Sequence, residues 1–64
     1  MKPMFNIEVV PADGNAFSIM GAVSKAMRRA GASDEVIKKY QEESQSGDYD
    51  NLIQVAMRHV NILI

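Results

Sequence analysis

Two apolar, strand-like segments bracket this chain, and everything between them reads as helix. Near the start, Phe5-Asn6-Ile7-Glu8-Val9 alternates apolar with polar residues, and Val60-Asn61-Ile62-Leu63-Ile64 closes the sequence. Chain ends are ordinarily polar and fray unless something ties them down. The simplest tie is pairing, either with each other or with another copy of the chain. Sixty-four residues make one domain, spanning residues 1–64, at a size where the hydrophobic core is marginal. Cysteine is absent and His59 is the one histidine, which removes disulfides and the best zinc ligands. No metal or other cofactor is therefore expected, and oligomerisation is the remaining staple for a scaffold this small.

Seven basic and eight acidic side chains leave a formal charge of −1. A protein that holds nucleic acid by bulk charge is normally clearly basic, so such binding would have to use a local patch. Nothing approaches the roughly 18 consecutive apolar residues of a membrane span, and the first residues lack an apolar stretch of signal-peptide length. A cytoplasmic setting is the default expectation.

Residues 4–10 read as a strand with Phe5, Ile7 and Val9 on one side and Asn6 and Glu8 on the other. Pro11-Ala12-Asp13-Gly14 ends it, and Asp13 or Asn15 caps a first helix running from Asn15 or Ala16 to Ala30. Ala16, Ile19, Met20, Val23, Met27 and Ala30 form its apolar stripe, with Phe17 and Ala26 at the margins. Gly31 suits a left-handed cap. Ser33, followed by Asp34 and Glu35, starts a second helix. Its narrow apolar face (Val36, Ile37, Tyr40) and polar run from Gln41 to Gln45 predict that it covers the core rather than builds it. After Ser46-Gly47, Asp48 or Asp50 caps a third helix with a stripe of Tyr49, Leu52, Ile53, Ala56 and Val60. Val60 to Ile64 follows without a turn signal; its β-branched content and Asn61 favour strand over continued helix.

The fold expected is thus α+β, β-α-α-α-β, with a small antiparallel sheet of the two terminal strands packed on the helices. A two-stranded sheet is marginal alone. Edge pairing between two copies would make four strands and would account for apolar residues at Met4, Val10 and Leu63. The candidate interface is accordingly Met4, Phe5, Ile7, Val10, Ile62, Leu63 and Ile64, with Gly21 added. Gly21 costs about 1 kcal/mol inside a helix and makes a small, flat surface beside Ser18 and Ala22. The competing expectation is that these residues cover the monomer's own core.

Candidate sites for chemistry are sparse. Gly14 and Asn15 open a helix whose N–H groups suit an anion, although turn and cap formation is the reading expected of such residues at a helix start. Lys25, Arg28 and Arg29 are the one basic cluster, aligned at helical spacing, suited to phosphates or an acidic partner; near a helix C-terminus cations are favourable without any ligand. Asp48 and Asp50 lack the remaining ligands of a calcium loop and read as caps. His59 has no nucleophile to serve. No catalytic pair emerges, so no enzyme is expected.

The stretches Asp13-Gly14-Asn15-Ala16-Phe17, Arg28-Arg29-Ala30-Gly31 and Ser46-Gly47-Asp48-Tyr49-Asp50 resemble, in that order, a group of short uncharacterised proteins from bacteriophages, prophages and bacterial genomes. The resemblance covers residues 12–60 and implies a phage setting, but it brings no catalytic residues. Small phage proteins of this size often act by binding, for example as inhibitors of host defence. The expectation is therefore a non-enzymatic homodimer that binds a host or phage protein, with the Tyr40, Tyr49 and Gly21 regions and the basic cluster as contact surfaces. The alternative is a nucleic-acid or nucleotide binder using Lys25, Arg28, Arg29 and the Gly14 helix start.

Overall fold

In the computed structural model, residues 3–63 are described, which leaves the expected interface residue Ile64 outside them. The order is β1 (Glu8–Val9), α1 (Ala16–Arg29), α2 (Asp34–Ser44), α3 (Tyr49–His59) and β2 (Asn61–Ile62). The two strands form one sheet, and three helices back it.

Each helix starts where a side-chain cap satisfies its first N–H groups. Asn15 accepts from the Phe17 N–H at 2.8 Å, while Asp13 accepts from the Asn15 N–H at 2.8 Å. Ser33 Oγ accepts from the Val36 N–H at 3.3 Å and Asp48 from the Asn51 N–H at 2.9 Å. The end of α1 is a paired left-handed cap. The Gly31 N–H donates to the Arg28 carbonyl and the Ala32 N–H to the Met27 carbonyl, with Gly31 at φ +93°. A side chain there would be strained.

The strands run parallel, in the register Glu8↔Asn61 and Val9↔Ile62, which corrects the antiparallel expectation. Three helices joined by short turns lie between the strands. The first segment runs alongside the chain as it leaves α3, Met4 and Phe5 against Arg58 and His59 and then Ile7 and Val9 against Asn61 and Leu63, so the strands point the same way. The alternation of the first segment holds: Val9 is buried and Phe5 and Ile7 are half-buried against the core, while Asn6 and Glu8 are exposed. Only Glu8–Val9 is regular strand, shorter than the expected 4–10.

The end of α3 has no glycine. Instead, the chain's first segment reaches it: the Met4 N–H donates to the Arg58 carbonyl and the Phe5 N–H to the His59 carbonyl, both at 2.8 Å. Val60 then turns extended (φ −143°, ψ 167°). The Asn61 N–H donates to the Ile7 carbonyl at 2.9 Å and the Leu63 N–H to the Val9 carbonyl at 2.8 Å.

The core comprises Val9, Ile19, Val23, Met27, Ile37, Tyr40, Leu52, Val55, Ala56 and Val60. Contrary to expectation, α2 builds it: Tyr40 is fully buried and Ile37 and Ser44 nearly so. Tyr40 is therefore removed from the contact surfaces. The Tyr40 ring meets His59 edge-on, centroids 5.0 Å apart, and the His59 Nδ1 lies 2.8 Å from the Val55 carbonyl. Ser44 Oγ donates to the Tyr40 carbonyl at 2.9 Å. The Tyr40 hydroxyl itself is buried with no hydrogen-bond partner among the described residues. The Cα radius of gyration is 10.3 Å, against about 10.7 Å for a compact chain of this length, so the monomer closes a core without a second copy.

Burial pushes the Tyr40 hydroxyl pKa up. The neutral form is the one the fold favours. Stability is thus fully present below the ordinary tyrosine value near 10.0 and is lost as pH rises from there through the raised value. Tyr40→Phe removes an unsatisfied buried hydroxyl. It should raise unfolding free energy by about 1 kcal/mol and blunt the alkaline loss, as read by urea titrations at neutral and alkaline pH. A variant less stable than the parent at neutral pH would show that the hydroxyl is satisfied.

Candidate interaction surface

α1 and α3 start at the same end of the molecule, because α2 between them runs back. This brings the first and last of the three resembling motifs together. The Tyr49 hydroxyl donates to the Gly14 carbonyl at 2.6 Å, tying the start of α3 to the turn before α1. An added Cβ on Gly14 would sit 3.6 Å from that hydroxyl, an ordinary contact. Gly47 is tighter: an added Cβ would lie 3.0 Å from the Asn51 Cβ, so the Asn51 side chain would have to give by a few tenths of an ångström.

Between the two helix starts lies a mainly apolar notch of about 300 Å³, walled by Phe17, Met20, Tyr49 and Leu52. Phe17, expected at the margin of a buried stripe, is 78% exposed; Tyr49, expected within one, is 49% exposed. Both occupy the first turn of their helices, and the end of α2 at Ser44 and the turn residues Gln45 and Gly47 line the notch between them without burying either ring. The exposure of both rings corrects the core-facing places that helical spacing gives them. The notch joins the Tyr49 region, expected as a contact surface, to Phe17, which was not. The available signal was an aromatic residue directly after each N-cap region, Asn15 and Asp48.

The anion site expected at Gly14 and Asn15 is already used internally. The helix-start N–H groups of Asn15 and Phe17 are held by the side chains of Asp13 and Asn15, and turn and cap formation accounts for both residues.

The basic cluster divides. Arg28 bonds Asp34 at the start of α2, at 3.0 Å, an exposed pair that contributes little to stability. Lys25 and Arg29 line a different recess, of about 410 Å³, between α1 and β1. Gly21 is exposed, and an added Cβ would meet nothing within 4 Å, so no other element of the chain approaches it. Of the expected interface, Phe5, Ile7 and Ile62 pack against the core from partly buried positions, whereas Met4, Val10 and Leu63 are exposed.

Asp48 caps α3 and Asp50 accepts from the Gln54 side chain at 3.0 Å. Among the described residues, no group of three or more His, Asp or Glu side chains is placed to hold a metal ion, and no helix is long and apolar enough to cross a membrane. Nothing matches the chain in comparisons with protein-family models, curated proteins and solved structures.

Tyr49→Phe keeps the ring and loses the Gly14 bond. It should lower stability by about 1 kcal/mol and speed amide exchange in the Gly14 turn. Phe17→Ser, at an exposed site, should change stability by less than about 0.5 kcal/mol; a larger loss in chemical denaturation would place Phe17 in the core.

Proposed function

We infer that this chain is a non-enzymatic interaction module that acts, as a homodimer, by binding a host or phage protein. One observation carries the reading: an aromatic ring held in water at Phe17, beside the anchored ring of Tyr49, over an apolar notch. Aromatic side chains lose little entropy when they bury and dominate the energetics of protein interfaces. Tyr49 is pre-positioned by its bond to Gly14, which lowers the ordering cost of binding. The resemblance to short phage proteins supports a host-directed role, inhibition of a defence protein being one form of it.

The test is affinity capture from host extract followed by reconstitution with the purified partner. The wild type is expected to hold one partner stoichiometrically, and Phe17→Ser to lose it while keeping its circular dichroism and melting temperature. Equal binding by both proteins would overturn the assignment.

The homodimer rests on the sheet. The parallel register turns the Ile62 amide outward, along an edge flanked by exposed Leu63 and Met57. Pairing β2 with its symmetry copy would give a four-stranded sheet in the order β1-β2-β2-β1 and cover both side chains. Sedimentation should show a mass rising from one chain to two with concentration, and Leu63→Lys should hold it at one. A mass of one chain at every concentration would exclude the dimer.

A further inference from the structure

The second edge of the sheet is open as well, and its surroundings differ in chemistry. The carbonyls of Ile7, just before β1, and of Val9 accept from Asn61 and from Leu63, just after β2. A parallel ladder in this register directs the amides of Glu8 and Val10 to the opposite side, into the recess between β1 and α1. Ala22 and Ala26 form the α1 wall of that recess, so no large side chain fills it. Lys25 and Arg29 stand along the same wall, both exposed. Glu8, exposed like Asn6, also lines the recess, its side chain on the opposite face of the strand from Ile7 and Val9.

An unpaired strand edge, a wall of small residues and two cations together describe a site for an extended chain with acidic side chains. We propose that this recess binds an acidic segment of a protein partner by strand addition to β1. The segment's backbone pairs with the Glu8 and Val10 amides. Its outward side chains stay in water, and alternate ones point at α1, where carboxylates meet Lys25 and Arg29. A small residue at Ala22 and Ala26 is what lets a strand lie there. Nucleic acid fits less well: Arg28, the third member of the basic cluster, is engaged by Asp34, and a phosphate chain has no donors with which to continue the sheet.

The proposal rests on the reading of the chain as a protein-binding module, but it uses a different surface from the Phe17 notch, so the two fail separately. The probe is a dye-labelled peptide of alternating valine and glutamate, measured by fluorescence anisotropy on the full chain. It is compared with its valine–lysine counterpart, with the same acidic peptide N-methylated at alternate amides, and with a single-stranded oligonucleotide. Binding of the acidic peptide alone is expected, weakening with salt and dropping by about tenfold or more in Lys25→Glu/Arg29→Glu, the double reversal of the rim charges. Amide resonances of Glu8 and Val10 should move on titration, and Phe17→Ser should bind the peptide as the wild type does. Undiminished binding of the N-methylated peptide would rule out strand addition. Equal binding of the lysine peptide, preference for the oligonucleotide, or no binding of the acidic peptide would each overturn the assignment. Lys25→Gln/Arg29→Gln, which adds no repulsion to the fold, keeps the charge test interpretable if the double reversal unfolds.

Discussion

The fold depends on two hydrogen bonds that join opposite ends of the chain: Met4 N–H to the Arg58 carbonyl and Phe5 N–H to the His59 carbonyl. A helix leaves its last carbonyls without intrahelical partners, and α3 has no glycine with which to fold back on them. The first segment supplies the donors instead. Once it does, Ile7 and Val9 arrive beside Asn61 and Leu63, and the sheet register follows with no turn to set it. The pairing is as non-local as the chain allows, so its loop-closure cost must be offset by the apolar surface that closes with it. Val9 and Val60, both buried, provide that surface on either side of the junction. Folding should accordingly be limited by this closure rather than by the helices, whose contacts are local.

The helices show which parts of such a structure sequence reveals. The position of α1 was legible at every level: Asp13 and Asn15 at its start, Ile19, Val23 and Met27 along its stripe, Gly31 past its end. All of these are local or period-based signals, and they agree. The role of α2 was not legible, because Tyr40 and Ser44 each carry a polar atom and burial is decided by the helices on either side. Val55 was missed for a related reason: the packing of α2 against α3 widens the buried face beyond the stripe that a single helix suggests. Strand direction lay beyond the alternation of Phe5, Ile7 and Val9, which is the same in parallel and antiparallel sheets. It is decided by the first segment running alongside the chain as it leaves α3, a non-local pairing that no local pattern shows.

The apolar surface followed the same logic in reverse. Phe17 and Tyr49 sit at or beside positions that helical spacing assigns to the core face, yet both stand in the first turn of their helices and are exposed. Periodicity reports a direction around a helix and not the length over which a neighbour accompanies it. A candidate site in a small helical domain is therefore most easily missed at helix ends. There a residue can satisfy the pattern of a core position and still face water. The Tyr49–Gly14 bond converts that exposed end into a rigid corner.

Both proposed surfaces use α1, and its geometry keeps them independent. Phe17 stands in the first turn and Arg29 in the last, about 18 Å apart at the rise of an α-helix. That exceeds the Debye length of about 8 Å at physiological ionic strength, so a charge at the groove is barely felt at the notch. It also exceeds the separation of roughly 10 Å beyond which substitutions usually add. Yet the two surfaces are fixed on one rigid element, and a partner that reached both would bind the second at a high effective concentration once the first was made. A short helix with an aromatic corner at one end and a cationic strand edge at the other can thus hold an extended partner more tightly than either contact alone, with no change in its own fold.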